Sequence, residues 1–209
     1  MSTLPLFREE RPDRLMEVVA RYPFGLLISH VSGEPFVSHV PMLVERDRGS
    51  FVVLGHLARA NPQCAALQSG GQVLAVFPGP DGYISPSWYE SPGVPTWNYV
   101  AVHLKGRVRM IDDPHELRGL LERLTSRFEA EAGACSSPAS LVEHFEGLLP
   151  HIVGFAIVAD CVEGRFKLSQ NRPWVDRVRV ATVLRGSGRG SAMELAEFMD
   201  RVREESDRG

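Results

Sequence analysis

Apolar residues Leu15, Val18, Val19 and Tyr22 recur at the i, i+3, i+4, i+7 spacing of one buried helical stripe. Arg11-Pro12-Asp13 supplies a start signal, so the sequence predicts a first helix that stops at Pro23. Three short apolar runs follow, at residues 24–30, 36–44 and 51–56, separated by the turn signals SGEP and RDRGS. That is the pattern of an antiparallel meander. Pro41 lies inside the second run and cannot donate to a ladder, so that strand is an edge, is bulged, or is interrupted there. Asn61-Pro62-Gln63 reads as an N-cap with proline at the first helical position, opening a short helix to Gln68 that Gly70-Gly71 ends. A strand over residues 72–77 comes next. Between 99 and 111 the chain alternates: Val100, Val102, Leu104, Val108 and Met110 form a core face, while Tyr99, Ala101, His103, Lys105, Arg107 and Arg109 form a polar, basic one.

Residues 87–99, SWYESPGVPTWNY, hold two of the three tryptophans and two of the four tyrosines among prolines and a glycine, and read as a loop. Asp113-Pro114 with Glu116 starts a third helix whose stripe is Leu117, Leu120, Leu121, Leu124 and Phe128. Ser137-Pro138 opens a fourth that reaches about Leu149, and a last strand occupies about 152–162. Two helices close the chain at about 173–185 and 191–204, joined by RGSGRGS, with Ser191 and Glu194 as a capping box. About six mostly antiparallel strands with peripheral helices make an α+β protein built on a β-barrel or strongly curled sheet.

Composition narrows the classes of function. A chain of 209 residues, 44% hydrophobic and 23% charged, reads as one soluble domain. A net charge of −3 gives no general basic field for nucleic acid. The three cysteines, Cys64, Cys135 and Cys161, lie far apart and form neither a disulfide framework nor a zinc ribbon, which fits a reducing cytoplasm. No apolar run suits a signal peptide or a membrane span. The chain contains no nucleophile elbow, Walker loop, GxGxxG or HExxH.

The candidate chemistry is in two stretches. In GHLARANPQ, residues 55–63, a strand ends, Arg59 sits in a turn, and a helix begins at Asn61. Such a junction presents unpaired amides and a guanidinium to a phosphate, with His56, Arg59, Asn61 and Gln63 as side-chain contacts. On spacing alone the favoured reading is that Asn61 simply caps the helix and Arg59 is solvated. In FKLSQNRP, residues 166–173, Lys167, Ser169, Gln170, Asn171 and Arg172 form a polar cluster that serves either as a capped loop or as donors to a heterocycle or anion. The seven histidines form no pair at metal-ligand spacing.

The strings FGLLISH, SHVPML, GHLARANPQ, GPDGYISPSWY, VPTWNYVAVHLKGRV and IVGFAIVADCVEGRFKLSQNRP, taken in order from about residue 14 to 173, resemble the PaiB-type FMN-binding proteins. These are often called FMN-binding negative transcriptional regulators, with the split-barrel fold of flavin reductases and pyridoxamine-phosphate oxidases. The resemblance implies an α+β fold with an antiparallel split β-barrel, peripheral helices and a helical C-terminal tail. It implies a single domain over residues 1–209, with about 173–209 as the helical extension. It also implies FMN as cofactor, with His56, Ala58, Arg59, Asn61 and Gln63 near its phosphate. Ser38, His39, Val40 and Pro41 would then run beside the ring, and Trp97, Asn98, Lys167 and Gln170 would complete the pocket. Relatives of this kind are homodimers with FMN at the subunit interface, which would account for the basic face of residues 99–111. The family label implies a transcriptional-regulatory role in the cytoplasm, with DNA as a partner through Arg177, Arg179, Arg185 and Arg189; the alternative is a flavin-dependent oxidoreductase acting on a nicotinamide or small substrate. A third reading is haem in place of flavin, with His39, His56 or His103 as axial ligand. Two departures stand out: Cys64 follows ANPQ where relatives carry an aromatic residue, and Asp81-Gly82 precedes YISPSWY where they carry a histidine and a small residue.

Overall fold

The computed structural model describes residues 4–133 and 146–206. Its first helix, α1 (Pro12–Arg21), buries Leu15, Val18 and Val19 as the stripe requires. Among the described residues eight strands form one antiparallel sheet, with β1 (Arg8–Glu9) on β8 (Ile152–Lys167) and the remaining order β3-β2-β6-β7-β8-β5-β4. The described residues resolve into two compact units, one within residues 22–77 and 103–162, the other within residues 1–21, 78–102 and 163–209.

In the first of these, β2 (Phe24–Val31) and β3 (Glu34–Pro41) pair from Phe24↔Pro41 to Val31↔Glu34. They are joined by Ser32 and Gly33, both in the left-handed region (φ 54 and 86). Arg48 and Gly49 do the same (φ 47 and 91) between β4 (Leu43–Asp47) and β5 (Ser50–Ala58). Two-residue turns of this hand match the twist of the strands they connect. The apolar run at 36–44 is therefore two strands rather than one. β3 ends at Pro41 on the sheet edge, and Met42, fully buried, sends its N–H to Pro23 O at 2.9 Å instead of into the ladder. β6 (Gln72–Ile84) runs past the expected end at 77. Its pairing with β2 covers Leu74, Ala75 and Val76 and stops before Pro78 and Pro80, where missing donors would break it.

The short helix α2 (Gln63–Gln68) and the long α3 (Pro114–Ala132) belong to the same unit. The Asp113 carboxylate accepts from Glu116 N at 2.9 Å to start α3, and Gly133 ends it in the left-handed region at φ 63. Leu117, Leu120 and Leu124 pack with Leu54, Ile111 and Ala156 in one core, each large side chain contributing about 1.5–3 kcal/mol. The approach is close because Gly154 has no side chain: a Cβ there would lie 2.8 Å from Leu120 and 3.0 Å from Ile111. The alternation of β7 (Thr96–Ile111) slips at its end, so that Ile111 is buried and Met110 only half-buried. The helix expected from Ser137 lies outside the described residues, apart from its end at 146–148.

In the second unit, β8 continues five residues beyond 162 because β1 pairs with it, Arg8↔Arg165 and Glu9↔Gly164. A Cβ on Gly164 would stand 2.8 Å from Glu9 O and 2.4 Å from Leu15, so glycine permits that crossing. The stretch 87–99 is not wholly a loop. A one-turn 3-10 helix spans Pro86–Trp88, and β7 begins at Thr96, placing Trp97, Asn98 and Tyr99 in a strand. Helices α4 (Trp174–Gly186) and α5 (Gly190–Ser206) bury Val180, Ala181, Leu184, Leu195, Phe198 and Met199. The capping box is replaced by another contact. Ser191 lies inside α5, and its hydroxyl accepts from Asp81 N (3.0 Å) and donates to Asp81 O (3.1 Å).

Candidate functional site

Ser38, His39, Val40 and Pro41 form the second half of β3, where alternation buries Ser38 and Val40 and turns His39 and Pro41 outward. Asn61 Nδ2 donates to Ser38 Oγ at 2.9 Å, while Asn61 Oδ1 accepts from Gln63 N at 2.9 Å. Gln63, fully buried, donates through Nε2 to Leu27 O (3.1 Å) and Ser29 Oγ (2.9 Å), and its Oε1 is without a partner. Three of the expected residues thus share one network that fixes the start of α2 against β2 and β3. Ala58 ends β5, and its carbonyl accepts from Asn61 N at 2.9 Å. The His39 ring stacks on exposed Phe24 with centroids 6.3 Å apart.

Arg59 sits elsewhere in this turn. Its guanidinium donates to Asp112 at 2.6 Å, Pro150 O at 3.1 Å and Ile152 O at 2.9 Å. The bond to Asp112 raises the arginine's pKa and holds the aspartate below the usual carboxylate value. His56 and Pro41 line a cavity of about 400 Å³ whose other walls include Leu121, Leu124, Phe128 and Ile152. Its His56 Nδ1 is buried without a partner, and burial lowers the imidazole pKa.

The remaining expected residues lie in the second compact unit, and they divide. Trp97 stands on the exposed face of β7, where with Tyr83 (edge-on, 6.0 Å) and Trp88 it lines a cleft of about 600 Å³ that includes Asp81 and Arg189. Asn98 points to the opposite face and is fully buried, so neighbours in sequence line different cavities. Asn98 shares a cavity of about 250 Å³ with Lys167, whose ammonium donates to Thr96 Oγ1. Gln170 turns back on its own loop: Oε1 accepts from Leu168 N at 2.7 Å and Nε2 donates to Phe166 O. Thr96 and Asp176 were not singled out from the sequence, although Asp176, in the first turn of α4, anchors the aromatic stretch through Glu90 and Ser91.

Of the C-terminal arginines, Arg179 pairs with Glu90 at 2.7 Å and Arg185 pairs with Asp200. On β7, Arg109 pairs with Glu116 at 2.6 Å, while Lys105 and Arg107 are exposed. Among the described residues no cluster of three metal-ligating side chains occurs, and no helix is long and apolar enough to cross a membrane.

Comparison with known proteins supplies the family. The model of a family described as "Putative FMN-binding domain" matches residues 1–160. Protease synthase and sporulation protein PAI 2 of Bacillus subtilis (strain 168) is 31% identical over 198 residues, 93% of this chain and 94% of the relative. Two solved structures are similar. Conserved hypothetical protein Rv2991 of Mycobacterium tuberculosis has a TM-score of 0.59 at 13% identity, over 82% of this chain and 94% of that one. The FAD and heme binding protein of Mycobacterium smegmatis has a TM-score of 0.58 at 17% identity, over 82% and 78%. At such identities the likeness is one of fold, and the fold is the split barrel. The chain belongs to this family of FMN-binding domains, and FMN is its cofactor.

Proposed function

We propose that FMN is held along residues 38–41 of β3 with His56, Ala58, Arg59, Asn61 and Gln63 as neighbours, and that the chain acts as a homodimeric regulatory flavoprotein. The observation that carries this reading is the cavity shared by Pro41 and His56. Its apolar walls suit an isoalloxazine face, and His56 Nδ1, buried without a partner, suits a polar ring edge. β3 is an edge strand, so among the described residues one side of its backbone has no strand partner and offers amides and carbonyls to the same ligand. When bound, FMN supplies one- and two-electron redox chemistry; the protein's residues bind and orient it.

Support for a second subunit comes from Phe24, Val37 and Val158, apolar and exposed in the unit that carries β3. The regulatory role rests on the Bacillus subtilis relative, whose name places it in protease synthesis and sporulation. Arg179 and Arg185, two of the four arginines that would face DNA, are already held in ion pairs, so regulation through a protein partner or through the flavin's redox state fits better than a basic DNA-binding face.

A fluorescence titration with FMN tests the placement. His56→Leu should weaken FMN by about tenfold with little change in melting temperature. Unchanged affinity would remove His56 and its cavity from the cofactor site. For the regulatory role, a gel-shift titration at several salt concentrations with the DNA upstream of its own operon should give no tight specific complex; a specific, salt-sensitive one would make DNA the direct partner.

A further inference from the structure

Within the second compact unit, residues 89–95 form neither helix nor strand, and three side chains hold them. Asp176, fully buried in the first turn of α4, accepts from Glu90 N at 2.7 Å, from Ser91 N at 3.4 Å and from the Ser91 hydroxyl. Arg179, three positions on and so on the same side of the helix, donates through Nε to Trp88 O at 3.1 Å and through Nη1 to Glu90 at 2.7 Å. Arg172, in the turn before α4, donates to Pro92 O at 2.9 Å, with its guanidinium carbon 4.4 Å from the centre of the Tyr89 ring. The acid thus takes N–H groups of the strap and the two bases take its carbonyls. Packing is tight as well: a Cβ on Gly93 would stand 2.5 Å from the Tyr89 ring and 2.9 Å from Arg172.

Tyr89 and Val94 of this strap are one wall of the cavity of about 250 Å³ in which Asn98 and Lys167 stand. Those two residues are ones the resemblance gives to the FMN pocket, and Asn98 is suited to a ligand. It is fully buried; its Nδ2 donates to Ser169 Oγ at 2.9 Å, and its Oδ1 has no partner. A buried acceptor left unsatisfied costs stability, which a ligand carrying a donor recovers.

The cavity is too small as it stands. Its volume falls below the roughly 300–1,000 Å³ of ligand pockets, so a ligand that reaches Asn98 needs a wall to give way. Asn98 and Lys167 belong to the neighbouring strands β7 and β8, and Phe7 is buried, which fixes much of the lining. The strap is tied by side chains instead of a ladder, and Val94 is 68% exposed. It is the wall that moves with least loss of structure.

We infer that residues 88–94 are a gate on this cavity, latched by Arg172, Asp176 and Arg179, and that ligand enters and leaves when the latch releases; the gate rests on the reading that FMN reaches Asn98 and Lys167. Asp176 and Arg179 are not among the residues that line the cavity, so both are positioning residues that act through the strap. Asp176→Asn keeps the shape of the side chain but turns one acceptor oxygen into a donor, which faces the donors of Glu90 and Ser91.

Two measurements on the full chain test the gate. In stopped-flow binding of FMN, Asp176→Asn and the milder Ser91→Ala should speed uptake and release together, each by about threefold or more, with the dissociation constant held within about twofold. Faster release alone would mean that the latch holds the ligand and does not gate it, and unchanged rates would leave the strap no part in entry; either overturns the gate. In amide hydrogen exchange without FMN, Asp176→Asn should speed the Glu90 and Ser91 N–H groups by about threefold or more and leave Val102, in the middle of β7, unchanged. Equal acceleration at all three, or none, overturns the latch. The exchange experiment needs no flavin, so failure of the gate is distinguishable from failure of the flavin placement.

Discussion

The carboxylate of Asp176 accepts a hydrogen bond from the backbone N–H of Glu90 at 2.7 Å, across 86 positions of sequence. The hydroxyl of Ser91 donates to the same carboxylate, so the first turn of α4 pins the stretch that carries Trp88 and Tyr89. Of the aromatic residues gathered there, Tyr89 is buried beneath Arg172, Trp88 is half-buried and Trp97 is exposed on a strand. The cluster therefore serves separate purposes.

Stability should depend on pH through Asp176. The Ser91 hydroxyl, the N–H groups of Glu90 and Ser91 and the Arg172 charge together outweigh burial and hold its pKa below the ordinary carboxylate value. A depressed folded pKa stabilises the protein above the unfolded value of about 3.9 and loses that contribution as pH falls through the folded one. Asp176→Asn should thus lower the melting temperature at pH 7, with the gap to the parent narrowing as the medium is acidified below the unfolded value. Thermal melts across pH check this; a gap that does not change with pH would deny the linkage.

Gly106→Ala should be strongly destabilising. A Cβ there would lie 2.1 Å from Val158 O, a backbone atom that cannot turn away. Overpacking of this kind costs about 1–3 kcal/mol, and for a chain of this size each kcal/mol lowers the melting temperature by roughly 2–4 °C. Calorimetry of the variant measures it directly.

Trp97→Leu should cost little stability, because the residue is 55% exposed and its ring meets Tyr83 only edge-on among the described residues. Losing such a contact is worth about 0.5–1.5 kcal/mol. A larger loss in a urea melt would make Trp97 part of the core and not of a binding cleft.

Asp112→Asn should raise FMN affinity, most clearly at low salt, because Arg59 is spent on Asp112 at 2.6 Å. Titrations at two ionic strengths read the effect. Equal affinities in parent and variant at both would place the phosphate away from Arg59.

Local chemistry was legible in the sequence. Pro12 and Asp113 start their helices, Pro41 stops its strand, and the alternation of β7 gives its two faces. What escaped is non-local. β1 and the last five residues of β8 exist because they pair with each other, and Ser191 is drawn from its cap to Asp81, 110 positions away. For the same reason Arg59 reads as a phosphate ligand or a solvated side chain until Asp112, 53 positions on, is seen to hold it. Strand alternation would have parted Trp97 from Asn98, but the flanking prolines and glycine hid that Thr96 begins a strand.

The central claim is that this split barrel holds FMN, and a visible absorption spectrum tests it most directly. Purified protein mixed with FMN and freed of excess by gel filtration should keep a flavin spectrum at about one FMN per chain. Protein that elutes colourless after exposure to FMN would contradict the account.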